Sequence, residues 1–241
     1  MNTSILLLLL WAPSAFAADA EAARKDYDAG RYAEAAEAYE RLAEAAPRNA
    51  SLHYDLGNAL FKSGKLGPAV ASYERAFALD PRDHDGRFNL EFALKRAGED
   101  FVPPGTPPIL FWVFTALSER ELAGLHWLAA WAALILAAAL ILSCDARREA
   151  LAPWTAAAFS AWLIFGTWWG GLRAALPPDR GVIVTPNAEV RHGPGPGFGV
   201  AFTVPEGRRV RMLGSSGSWL EVGVLMEGAK GWIQSSSVER L

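Results

Sequence analysis

The sequence predicts a multidomain chain: all-α helical repeats, a two-helix transmembrane hairpin and a small all-β barrel. Three observations carry that expectation. Residues 18–100 match themselves at an offset of 34 positions. Two long apolar runs follow, at 122–143 and 151–172. From Arg180 onward the texture changes to short alternating runs punctuated by glycine. A chain of 241 residues has room for two small domains and a membrane hairpin.

Residues 1–17 read as a secretory signal peptide. A compact apolar run at 5–11 precedes Ala15-Phe16-Ala17, an A-x-A cleavage pattern, although the first residues hold no Lys or Arg. The other reading of this run is a buried or anchoring helix; it is too short to be a good span.

In 18–100, a shift of 34 places Gly30 on Gly64, Ala35 on Ala69, Tyr39 on Tyr73 and Pro47 on Pro81. That period belongs to the tetratricopeptide (TPR) helix–turn–helix repeat, which this segment resembles. The fuller unit, 50–82, carries Leu56, Gly57 and Leu60 on a first helix and Ala69, Tyr73 and Ala76 on a second. Gly57 and Ala69 are small where the helices cross, and Pro81 ends the second helix. The preceding copy has Ala23 in place of Gly57. The following segment, 84–98, keeps Leu90 and Leu94 but has Glu91 at the glycine position, so it reads as a capping helix. About two repeats plus a cap are expected.

TPR arrays hold extended peptides along their first helices. That face carries Tyr54, Asp55, Asn58, Phe61 and Lys62 here, joined by Asn89 from the cap. Asn58 and Asn89 fall at positions that grip a peptide carboxylate in some chaperone-binding TPR proteins. The lysines that complete such a clamp are absent. Tyr54 and Phe61 are the better anchors, packing between repeats being their other reading.

Residues 101–121 link the repeats to the membrane. Pro103, Pro104, Pro107 and Pro108 predict an extended spacer. Residues 109–117 are apolar but too short to span, which suits an interfacial segment. Ser118 and Glu121 form a capping-box pattern. The two apolar runs each exceed the ~20 residues a helix needs to cross a bilayer. The link at 144–150 is short enough to be a hairpin turn, which puts both chain ends on one side. Arg147 and Arg148 place that turn in the cytoplasm by the positive-inside rule, a bias that Arg120, Arg173 and Arg180 weaken. Residues 173–179 link onward. Signal and turn together put both termini outside the cytoplasm, with the hairpin in the inner membrane. The small-residue patterns Gly166-x-x-x-Gly170 and Ala129, Ala133, Ala137 predict close helix approach, within the hairpin or between copies. His126 sits one turn into the first span without a partner carboxylate, so it reads as a neutral headgroup-level residue. Cys144 is the single cysteine, so no intramolecular disulfide is available.

Residues 180–241 predict five short strands, at 181–184, 188–191, 209–213, 219–222 and 231–233. Glu189-Val190-Arg191-His192-Gly193, Val204-Pro205-Glu206-Gly207, Ser218-Trp219-Leu220-Glu221-Val222 and Lys230-Gly231-Trp232-Ile233 give this segment its resemblance to bacterial SH3-like domains. Such domains bind peptides or cell-wall fragments in known families, and others serve as adaptors. Trp219 and Trp232 fit two roles, an aromatic ligand floor or half-buried barrel residues.

Charge excludes a nucleic-acid partner. Residues 18–100 hold 12 basic against 16 acidic side chains, and 180–241 hold 7 against 5. Neither is the dense basic face that nucleic acid requires. No phosphate loop, nucleophile elbow or metal-spaced cluster is present in the sequence, so no catalytic residue, metal or cofactor is assigned and no enzyme activity is expected.

In their order, signal, TPR repeats, hairpin and SH3-like domain, these parts are similar to the BatE-type proteins of the Bacteroides aerotolerance (Bat) operons. The resemblance implies an accessory membrane protein beside a MoxR-type ATPase and von Willebrand factor A-domain membrane proteins, linked to stress tolerance. On the residues themselves, the expected function is a membrane-anchored protein–protein scaffold in the bilayer. The alternative is a peptidoglycan-binding sensor acting through the SH3-like domain.

The topology is testable. A reporter fused after Gly98 or at Leu241 is expected to be active only outside the cytoplasm, and one inserted at Ala146 only inside. The reverse pattern at both ends would refute the hairpin.

Overall fold

The computed structural model describes residues 3–103, 105–224 and 228–241. Met1 and Asn2 of the expected signal and Pro104 of the expected spacer lie outside the described residues. The chain divides into two compact units: Met1–Pro104 with Asp179–Leu241, and Gly105–Pro178. TPR-like helices and the C-terminal sheet therefore share one unit.

The helices of this unit are α1 (Thr3–Asp28), α2 (Tyr32–Ala45), α3 (Ala50–Lys62), α4 (Leu66–Leu79) and α5 (His84–Arg96). α1 runs unbroken past Ala17. The 34-residue period reappears as conformation. Gly30, Gly64 and Gly98 all have positive φ, at 77°, 86° and 76°. Each ends a first helix in the left-handed turn that favours glycine. Asn49 and Asp83, again 34 apart, are the N-caps that accept backbone N–H groups at the starts of α3 and α5. A Cβ on Gly57 would stand 2.6 Å from the Tyr73 ring, so α3 and α4 cross at a point with no room for a side chain. Ala23, at the equivalent place on α1, is fully buried.

α5 thus begins and ends like the first helix of a third repeat. Among the described residues of this unit no second helix follows it. The chain continues through Glu99 and Phe101, and the Phe101 ring packs edge-on against Phe77 at 5.2 Å. The sheet occupies that end of the array. Its strands are β1 (Arg180–Ile183), β2 (Ala188–Arg191), β3 (Val200–Val204), β4 (Arg209–Ser216), β5 (Trp219–Val224), β6 (Lys230–Gln234) and β7 (Val238–Arg240). They pair antiparallel in the order β3-β2-β6-β5-β4-β1-β7 among the described residues. Bulges at Val190/Arg191 and Met212/Gly214 help curl the sheet into a half-barrel. Ile183, Val190, Val210, Leu220, Val222 and Ile233 fill its concave side.

Two strands go beyond the five expected. β3 hides its period because Val200 and Ala201 are both exposed, and β7 has three residues. Neither offers the alternation from which a half-buried strand is read.

Helices and sheet are joined by charge. Arg209 of β4 is 6 % exposed, and Glu74 of α4 and Glu99 are 3 % and 4 % exposed. Arg209 donates from Nε to Glu99 at 2.6 Å and lies 3.4 Å from Glu74, while two further guanidinium hydrogens reach the carbonyls of Asp100 and Phe101. Arg180 of β1 donates to the other Glu74 oxygen at 2.8 Å. Burial opposes the charge on Arg209, but Glu74 and Glu99 outweigh it and hold its pKa above the ordinary value. Backbone approach completes the joint: a Cβ on Gly67 of α4 would collide with the Ile183 carbonyl oxygen.

The second unit holds α6 (Pro108–Phe114), α7 (Glu119–Leu142) and α8 (Asp145–Ala175). α7 and α8 are long and apolar enough to cross a membrane. Ser118 and Glu121 close the capping box at the start of α7. Residues 145–150, expected in the turn, are helical, and Ser143-Cys144 alone connects the two helices. Asp145 in the first turn of α8 favours this start. Arg148 turns back to donate to the Ile141 carbonyl at 3.2 Å. Gly166 packs against His126, as close approach requires, but Gly170 meets nothing within 4 Å. The second close glycine is Gly171, where the Phe114 ring occupies the space of a side chain. Trp162 donates to His126 Nε2 at 3.2 Å.

Arg209→Ala is expected to destabilise the first unit by about 3–5 kcal/mol, because it leaves two buried carboxylates without their shared cation. Thermal unfolding of the full chain in detergent checks this, and an unchanged midpoint would show that the joint contributes nothing.

Candidate functional site

The face presented by α3 follows from helical spacing. Tyr54, Asn58 and Phe61 stand at i, i+4 and i+7, with Asp55 and Lys62 beside them. Across from them α5 presents Phe88, Asn89 and Phe92. Together with Tyr27 of α1 and Tyr73 of α4, these residues line a groove of about 330 Å³. Five of the six expected site residues, Tyr54, Asn58, Phe61, Lys62 and Asn89, lie in it. Asp55 lines the adjoining hollow of about 250 Å³ with Arg24, Tyr27, Asp28, Tyr39 and Asn58. Tyr27 and Asn58 belong to both walls.

A hydrogen-bond relay fixes the floor. The Tyr73 hydroxyl donates to Asn58 Oδ1 at 2.7 Å, and Asn89 Nδ2 donates to the same oxygen at 2.8 Å. Asn89 Nδ2 also lies 3.3 Å from the Tyr54 hydroxyl. The Asn89 amide nitrogen and the Asn58 carbonyl are therefore spent on each other and on the tyrosines. This arrangement ties the two asparagines together rather than aiming both at a carboxylate.

Burial pushes the Tyr73 hydroxyl well above the ordinary range and Tyr39 up to about 12. Both remain protonated donors at neutral pH. Burial also raises the Asp55 carboxyl above its ordinary value, against the pull of Arg24.

Phe88 and Phe92 were not anticipated from the sequence. They are 69 % and 51 % exposed. Phe61 meets Phe92 edge-on at 5.7 Å, and Arg96 lies over the Phe61 ring at the same distance. The available signal was the spacing of two phenylalanines at i and i+4, on a helix whose opposite face already carries Leu90 and Leu94. A helix apolar on two faces has one face left over for something else.

On the sheet, Trp219 is 9 % exposed and lines a separate hollow of about 260 Å³ with Thr185, Asn187, Glu189, Arg191, Gln234 and Ser237 among its neighbours. Trp232 is half-buried and pairs in register with Glu221 and Arg191, outside that lining. The two tryptophans share a sheet face but not this hollow. Among the described residues no group of three His, Cys, Asp or Glu side chains is placed to hold a metal ion.

Residues 20–84 match the family model of the tetratricopeptide repeat. No curated protein matches the chain. The matched segment contains the two helical repeats up to the start of α5. TPR repeats are generally non-catalytic and serve protein–protein interaction, and the groove is lined by their α1, α3 and α4 with α5 as a further wall.

Because its folded-state pKa is raised, Asp55 stabilises the fold most when protonated, below its ordinary value of 3.8. That contribution is lost as pH rises through the raised value. Asp55→Asn is therefore expected to raise the melting temperature of the full chain at pH 7, and the gain should vanish near pH 3. A destabilised variant at pH 7 would contradict the burial cost.

Proposed function

We propose that the chain is a non-enzymatic, membrane-anchored scaffold of the cell envelope, whose α3–α5 groove holds a segment of another protein. The aromatic lining of that groove beside a fixed amide floor carries the reading. Aromatic groups bury large areas at small entropic cost, as binding hot spots do, while the relay keeps the floor in one geometry. The two long apolar helices would anchor the chain in the inner membrane, with a signal peptide at 1–17 and both termini in the periplasm. The similarity in order of parts to BatE-type proteins supplies the partners worth testing: von Willebrand factor A-domain membrane proteins and a MoxR-type ATPase, in stress tolerance.

A second reading has its own observation. The hollow beside Trp219 is lined largely by polar groups, a surface that suits a glycan or short peptide. In this reading the SH3-like sheet binds peptidoglycan, and Trp219→Ala should abolish retention on purified sacculi.

The scaffold reading is tested by combining Tyr54→Ala, Phe61→Ala and Lys62→Glu. The triple variant is expected to keep its helical circular dichroism and lose co-purification of the membrane partner from detergent extracts. Persistence of the partner, together with its loss on deleting 122–172, would move the docking element to the hairpin.

A further inference from the structure

The half-buried carboxylate of Asp55 makes no hydrogen bond or ion pair with any described residue. Its hollow contains a second carboxylate, Asp28, and one cation, Arg24, which lies 3.9 Å from Asp28 and whose charge also acts on Asp55. Two carboxylates against one cation leave one negative charge over, in a hollow lined also by Tyr27 and Tyr39. A shielded carboxylate without a counterion of its own is costly, and a cation that enters such a pocket gains from the charge and from aromatic neighbours. Through Tyr27 and Asn58 the hollow opens beside the aromatic ledge of Phe61, Phe88 and Phe92.

Lys62 lies two turns further along α3, about 10 Å from Asp55. It is exposed, so its charge is screened by water, whereas Asp55 acts in a lower-dielectric hollow. Asp55 therefore decides which sign of ligand the site prefers, and Lys62 adds a direction: the cation belongs at the α1 side.

We propose that the groove selects a peptide segment carrying an aromatic or long aliphatic residue close to a Lys or Arg. The apolar side chain lies on Phe61, Phe88 and Phe92, and the basic one enters the hollow to pair with Asp55. This rests on the reading of the groove as a peptide site.

A random peptide library displayed on phage, panned on the full chain in detergent micelles, tests the two levels separately. Enrichment of aromatic–basic pairs supports the proposal. Synthetic peptides from that pool should bind Asp55→Asn about tenfold or more weakly, since a charge-assisted contact is lost. Replacing their arginine by citrulline should weaken wild type equally and leave Asp55→Asn unchanged. Peptides that lack basic residues but depend on Phe61 and Phe92, tested by Phe61→Ala with Phe92→Ala, would overturn the proposed selectivity and leave the groove reading intact. Enriched peptides indifferent to both substitutions, or no enrichment at all, would overturn the groove reading and the selectivity with it.

Discussion

The ion cluster at Arg209 is the constraint on which the first unit depends. Three chain segments meet there: α4 through Glu74, the exit from α5 through Glu99, and β4 through Arg209 itself. Arg180 brings in β1 as well. Removing such charges from water costs several kcal/mol per ion, and the cost is offset only when further hydrogen bonds accompany the ion pairs. Arg209 directs four of its five N–H donors at two carboxylates and two backbone carbonyls. These directional bonds tie β1 and β4 to α4 and to the exit from α5.

The cluster also explains how so short an array is sustained. Stacked repeats expose an apolar end that needs covering. α5 has the caps and the turn glycine of another first helix, yet the place of its partner is taken by Phe101 and the β1–β4 side of the sheet. A second fold does the work of a terminal repeat.

The helical half was legible because its determinants are local and periodic. Gly57, Tyr73 and Pro81 state a helix crossing and a stop in the sequence, and the fold repeats them. Tyr54, Asn58, Phe61 and Asn89 were legible for the same reason, helical spacing on known faces. The joint was not. Glu74 and Arg209 are 135 positions apart, and each looks like an ordinary surface charge until the sheet is folded. Asp55 was placed on the right helix but not in its own hollow, because Arg24, Tyr27 and Tyr39 come from the neighbouring helices α1 and α2. Phe88 and Phe92 were hidden by the assumption that a capping helix has only a core face.

The discontinuity of the first unit sets an order of events during synthesis. The hairpin is a local structure: a two-residue connection brings α7 and α8 together as soon as both exist, and contacts of short sequence separation form early. The array is made first but is unfinished. Glu74, Glu99 and the backbone of α4 at Gly67 wait for strands that emerge after the entire hairpin. Until β4 arrives, two carboxylates destined for burial must stay hydrated, so the last repeat stays open at that end. The contacts that close this end of the array, next to α5, come from the last quarter of the chain.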